Sequence, residues 1–232
     1  MTSVPGKSTE ELLKNPYDVS ISLIIPTLNF ESFMVLYQSL IERCSCPDDV
    51  EMLLKIDDID HISQYYSLCQ KTPFKYKIIM YPSFNGRFSL HHFFNDLGSI
   101  SSGKIVWALN DDAEIVGGED WYQALLKTRD SFKDNVYYVA IPYDNGKGTK
   151  QIVPLPAISK EWLDLFENNV TEFPNYDRWL HELAKHLDRR IVLTEDDILV
   201  TMPQGSRVLS KADRKSIFYP RLQQVIKNVN RR

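Results

Sequence analysis

Glycine is scarce in this chain, 9 in 232 residues, and it is missing where a dinucleotide-binding protein needs it. The first apolar run is followed by Pro26-Thr27-Leu28-Asn29. No Gly-rich turn there lets backbone approach a pyrophosphate, which excludes the dinucleotide-oxidoreductase fingerprint, and the Walker pattern is absent as well. Cysteine is also sparse: Cys44, Cys46 and Cys69 are odd in number, and Cys44-Ser45-Cys46 lacks the two-residue gap of zinc knuckles and redox motifs. They read as reduced thiols. No run approaches about 18 apolar residues, and the opening segment, with Lys7, Glu10, Glu11 and Lys14, lacks the apolar centre of a signal peptide. The expectation is a soluble, cytoplasmic protein without a transmembrane segment. Basic charge is not in surplus either: 27 Lys and Arg against 31 Asp and Glu give −4, which does not support a nucleic-acid partner. The C-terminal end differs, with Arg207, Lys211, Arg214, Lys215, Arg221, Lys227, Arg231 and Arg232 facing only Asp213. A basic tail over 216–232 reads as a solvated, frayed terminus, with weak peripheral contact to anionic membrane as the functional alternative.

What the chain does have is 43% hydrophobic residues in an alternating order. After a polar leader through residue 18, Val19 to Ile25 reads as a buried strand stopped at Pro26. Phe33, Leu36, Tyr37, Leu40 and Ile41 then mark one face of a helix over Asn29 to Arg43, capped by Asn29 or Ser32. Strands at Glu51 to Ile56 and Tyr76 to Tyr81 alternate with helices at His61 to Lys71 and Ser89 to Ile100, the latter closing at Gly103. Such alternation predicts an α/β fold with a mostly parallel sheet and right-handed crossovers. The second part reads as a helix at Trp121 to Ser131, a strand at Val136 to Ile141 and a turn-rich loop over 143–148. A short helix at Ser159 to Phe166, an amphipathic helix at Tyr176 to Leu187 and strands at Arg190 to Leu193 and Ile198 to Thr201 follow.

The chemistry lies in Lys104-Ile105-Val106-Trp107-Ala108-Leu109-Asn110-Asp111-Asp112, an apolar strand ending in two adjacent carboxylates. In an open α/β sheet the carboxyl ends of strands form the ligand crevice, so Pro26-Thr27, Asp57-Asp58 and Asp111-Asp112 would converge on one edge. Paired acids there suit a hard divalent cation serving a diphosphate, and a polar turn is the alternative. The histidines of His181-Glu182-Leu183-Ala184-Lys185-His186 diverge by about 140° around a helix and cannot share a metal. Adjacent His91 and His92 should point apart, one packed and one solvated.

Ile21 to Asn29 resembles the opening strand of the GT-A glycosyltransferases, especially the mostly inverting family 2, and Glu51 to Asp58 is similar to their second strand. Asn85-Gly86-Arg87, Asn95, Gly103 and Leu109-Asn110-Asp111-Asp112 resemble the stretch leading into the family's DxD motif. A looser match continues through Ile158 to Trp162 and Asn175-Tyr176-Asp177 to about Asp213. The resemblance implies a GT-A, Rossmann-like fold in one domain over 19–215, with a nucleotide-binding half about 19–115 and an acceptor-binding, catalytic half about 116–215. It also implies transfer of a sugar from a nucleotide-diphosphate donor, UDP favoured, to a hydroxyl on a carbohydrate or glycan acceptor, with inversion. Pro26, Thr27 and Asp58, with Asp57, would line the base and ribose pocket. Arg87 would reach base or phosphate, Asp111 would hold ribose or donor sugar, and Asn29 and Asn110 complete the donor-binding set. Asp112 would carry Mn²⁺ or Mg²⁺, and Asp177 sits where the family has its catalytic base; a carboxylate offsetting the helix dipole is the alternative there.

Two departures stand out. Asn110 replaces the first acid of DxD, and Met202 stands where some relatives have a histidine that completes the metal site. Glu114 or the Glu195-Asp196-Asp197 cluster could assist, though the latter reads better as a solvated loop. Two competing readings remain: a sugar nucleotidyltransferase, against which the missing Gly-rich, Arg-containing loop speaks, and a noncatalytic sugar- or nucleotide-binding module of the same fold.

Overall fold

The computed structural model describes residues 18–56, 61–80, 90–144, 150–151, 155–166, 170–171, 176–202 and 219–229. The first part alternates as the apolar runs demand. Strand β1 (Ile21–Thr27) leads to helix α1 (Phe30–Glu42), β2 (Val50–Ile56) to α2 (Ile62–Cys69), and β3 (Lys75–Met80) to α3 (Leu90–Ser99) and β4 (Ile105–Ala108). The four strands are parallel in the order β4, β1, β2, β3. Both faces are covered, and side chains alternate accordingly. Leu23, Ile25, Met52, Leu54 and Trp107 belong to one core cluster, while Ile24, Leu53, Val106 and Ala108 belong to the other.

Strand β1 runs through Pro26 instead of stopping there. Its pairing with β4 ends at Ile24, so the proline lies beyond that ladder, where its missing N–H breaks no rung on that side.

The second part supplies β5 (Glu114–Gly117), α4 (Trp121–Leu126), β6 (Tyr138–Ala140), β7 (Tyr143–Asp144), β8 (Lys150–Gln151) and β9 (Ala157–Ser159). It continues with α5 (Lys160–Leu165), α6 (Tyr176–His186), β10 (Arg190–Val192), β11 (Leu199–Thr201) and α7 (Tyr219–Val229). Among the described residues, β9, β6 and β10 extend the main sheet to the order β10-β6-β9-β4-β1-β2-β3, with β9 antiparallel to both its neighbours. A smaller sheet runs β5-β11-β7-β8. Helix α4 is shorter than the expected Trp121 to Ser131: the Thr128 hydroxyl donates to the Leu125 carbonyl and Asp130 adopts φ 62°, which turns the chain away. The stretch read as a frayed basic tail contains α7, whose Leu222, Val225 and Ile226 are buried in the cluster that also holds α6. Arg221 and Lys227 remain exposed on its outer side.

At the amino end of the main sheet a polar knot ties the strands together. Glu51 is fully buried, accepts from the Ser22 hydroxyl at 2.6 Å and pairs with Lys77 at 3.5 Å. The Lys77 ammonium also donates to the Ile100 carbonyl, and the Gly103 N–H donates to Ser22. A Cβ on Gly103 would stand 2.5 Å from the Ser22 nitrogen, so this close approach requires glycine. No helix among the described residues is long and apolar enough to cross a membrane.

Candidate active site

At the opposite, carboxyl edge of the main sheet the ends of β1 and β4 meet. The Asp111 carboxylate accepts the N–H of Leu28 at 2.6 Å and of Asn29 at 3.1 Å through one oxygen, Oδ2. The turn after β1 and the turn after β4 are thereby joined across more than 80 residues of sequence. Burial pushes the Asp111 carboxyl above its ordinary range, and the two amides and the Thr27 hydroxyl pull it back. Thr27 is itself fully buried, its hydroxyl 2.7 Å from that of Tyr65. Asn29 is the cap of α1, its side-chain oxygen accepting from the Ser32 N–H at 2.8 Å. Leu28 between them is 56% exposed on the lip of the crevice.

The β4 end continues into a turn in which the Ala113 N–H donates to the Asn110 carbonyl at 3.2 Å. Asp112 lies half-buried on that turn. The Asn110 side-chain oxygen accepts from the Tyr176 hydroxyl at 3.3 Å, which brings the first turn of α6 to the same place. Asp177 follows Tyr176 in that turn and is half-buried. Desolvation holds its carboxyl above the usual range, although the Arg178 N–H and its own N–H favour the ionised form. Tyr143 of β7 stands near enough that Asp177, after burial, adds to the upward shift of its hydroxyl.

The structure therefore brings together Pro26, Thr27, Asn29, Asn110, Asp111, Asp112 and Asp177 at one sheet edge. Asp57, Asp58 and Arg87 lie outside the described residues. Met202 is half-buried and packs against the apolar core. Glu114, Glu195 and Asp196 are exposed, and Asp197 folds onto its own loop, accepting from the N–H and hydroxyl of Thr194. Among the described residues no three His, Cys, Asp or Glu side chains gather around a cation position. A cation at Asp112 would thus complete its shell with diphosphate oxygens and water, a set that suits a hard, oxygen-seeking ion.

His181 and His186 have separate partners: the His181 Nε2 is 3.3 Å from Arg190 and the His186 Nδ1 is 2.7 Å from the Glu182 carbonyl. His91 is half-buried and His92 exposed, but their rings lie 3.9 Å apart instead of diverging. The aromatic contribution to the crevice was not readable in the sequence. Tyr143 is placed by strand register, and the Asn175-Tyr176-Asp177 match gave no sign that the Tyr176 hydroxyl meets Asn110.

No family model matches the chain, and no curated protein matches it. Solved structures do. The structure of S. aureus TarS 1-349 with UDP-GlcNAc superposes with a TM-score of 0.65 at 16% identity, covering 91% of this chain and 66% of that one. The mannosyltransferase PcManGT from Pyrobaculum calidifontis, in complex with GDP-Man and Mn²⁺, gives 0.62 at 14% identity over 86% and 63%. GalNAc-T7 with UDP, GalNAc and Mn²⁺ gives 0.58 at 12% identity over 80% and 44%. The chain spans from 37% of the length of the TarS structure to 66% of TarS 1-349. At these identities the likeness fixes the fold, and that fold is GT-A, with the mixed sheet and flanking helices described above.

Proposed function

We propose that this chain is a metal-dependent glycosyltransferase that moves a sugar from a nucleotide-diphosphate donor to a hydroxyl of a carbohydrate acceptor, with inversion. The observation that carries this reading is the meeting of three elements at the carboxyl edge: the β1 turn clamped by Asp111, the Asp112 turn after β4, and Asp177 at the start of α6. The neighbours of the same fold were solved with UDP, UDP-GlcNAc or GDP-Man. A UDP-sugar is the favoured donor here.

Pro26, Thr27 and Asn29 would shape the wall against base and ribose, with Asp57, Asp58 and Arg87 from neighbouring loops, and Asn110 and Asp111 beside the donor sugar. Mn²⁺ or Mg²⁺ on Asp112 would offset the negative charge that develops on the departing diphosphate. Asp177 takes the proton of the acceptor hydroxyl as its oxygen attacks the anomeric carbon. The bond to the diphosphate breaks on the opposite face, and the nucleoside diphosphate leaves. A carboxyl raised by desolvation is the better base for that proton transfer, since its conjugate acid is less strong.

The test is nucleoside-diphosphate release from UDP-GlcNAc and GDP-mannose, with and without Mn²⁺, by the protein and by Asp112→Ala. Loss of about 100-fold or more on either change is expected, the scale at which a removed electrostatic stabiliser acts. Turnover that needs no metal and ignores the substitution would remove Asp112 from the mechanism.

A further inference from the structure

We propose that Tyr176 is a positioning residue that holds the donor-side turn and the catalytic base in one fixed relation; this rests on the transferase reading above. Its ring is 4% exposed and packs on Phe94 of α3 with centroids 4.1 Å apart. Helix α3 grips the approach to α6 at a second point. The Asn95 side chain donates to the Thr171 carbonyl at 2.8 Å and accepts from its N–H at 2.9 Å. The start of α6 is therefore packed against α3, and the chain five residues earlier is hydrogen-bonded to the same helix.

From that anchored ring the hydroxyl reaches Asn110 at 3.3 Å, two residues before Asp112, while the next peptide carries Asp177. One side chain thus touches the motif that would face the diphosphate and adjoins the group that would take the proton. Burial, with Asp177 and Asp112 nearby, drives the Tyr176 hydroxyl far above its ordinary pKa, so it remains a donor. A donor needs an acceptor, and the Asn110 amide oxygen supplies one without adding charge. An aspartate at 110 would accept the same hydrogen bond but would set a further carboxylate next to Asp111 and Asp112. The departure from DxD at Asn110 is thereby matched by the tyrosine across the crevice.

Tyr176→Phe keeps the ring on Phe94 and removes only the hydroxyl. With UDP-GlcNAc or GDP-mannose, whichever the wild type turns over in Mn²⁺, kcat should fall by about 10- to 100-fold, the cost of a base displaced by a fraction of an ångström to one ångström. Binding of the matching nucleoside diphosphate, UDP or GDP, with Mn²⁺, followed by calorimetry, should stay within about threefold. Asn110→Ala should lower kcat by at least a similar factor, and adding Tyr176→Phe to it should cost little more, because the contact the two share is already gone. A kcat for Tyr176→Phe within about twofold of wild type, or losses that multiply in the double variant, would overturn the positioning role. A loss of kcat that only follows a lowered thermal midpoint would do the same. A wild type that binds neither UDP nor GDP with Mn²⁺ and releases neither from its sugar donor would instead refute the transferase reading itself, and the role of Tyr176 with it.

Discussion

Replacing Asp111 tests whether the two strand-end turns are held together by a charge or merely by an acceptor. In Asp111→Ala the N–H groups of Leu28 and Asn29 lose the oxygen now at 2.6 and 3.1 Å. Two hydrogen bonds to a carboxylate would be worth about 3 kcal/mol or more if both amides were left buried without partners. Leu28 and Asn29 are exposed, so water recovers part of that, and about 1–2 kcal/mol is the expected loss by urea denaturation. For a chain of this length that corresponds to about 2–8 °C in Tm. Asp111→Asn keeps an acceptor and should lie within about 0.5 kcal/mol of wild type at neutral pH. The pH dependence has a definite sign. Because burial raises the native Asp111 pKa above its unfolded value, the native state holds the proton more tightly. Wild type should therefore gain stability relative to Asp111→Asn as pH falls from the raised native pKa to the unfolded carboxyl range, and lose it as pH rises back. Equal destabilisation by Ala and Asn would show that charge, not acceptance, holds the turns. No loss for Ala would refute the clamp altogether.

Asp177→Asn should reduce turnover by about 100-fold or more while UDP binding in Mn²⁺ stays within about twofold, since a base acts on the acceptor proton and not on donor affinity. In the wild type the acid limb of kcat should lie above the ordinary carboxylate range, with activity rising as pH climbs through the raised Asp177 pKa. A limb at or below that range would contradict the desolvated setting. Leu222→Ala should cost about 2–4 kcal/mol of stability, as for a fully buried leucine, and a loss under about 0.5 kcal/mol would mean that α7 is not part of the folded core.

The parallel core could be read from sequence because β1, β2 and β4 are buried on both faces and are written as apolar runs with Pro, Asp or Asn at their ends. Helices α1 and α6 were equally plain, their apolar residues falling at three- and four-residue steps. In the smaller sheet β11 was legible as the run Ile198 to Thr201, but β5, β7 and β8 were not. Strands β7 and β8 are two residues long, and β5 has the pattern exposed-buried-exposed over Glu114, Ile115 and Val116, which a loop could share. Their pairing is decided by distant partners such as Val200 beside Ile115 and Tyr143. Helix α7 was hidden for another reason. Leu222, Val225 and Ile226 have helical spacing, but the basic residues around them are equally the pattern of a solvated tail. The crevice followed the same division: the acids at strand ends were visible in the sequence, whereas Thr27 turned toward Tyr65 and Tyr176 turned toward Asn110 depend on packing from other elements.

Strand β9 lies antiparallel between β4 and β6, although it arrives some fifty residues after β4 in the chain. Until residues 155–159 are in place, the strand that ends in Asn110-Asp111-Asp112 has one open side, and the Trp107 indole lacks the Leu155 carbonyl it donates to at 2.8 Å. A fragment cut after β5 would expose that side as a template for sticking to other chains. The segments from β1 to β5 are thus not a transplantable module. Their shape is sealed by chain that comes from the second part of the sequence, so exchange of one part between proteins would have to carry β9 with it.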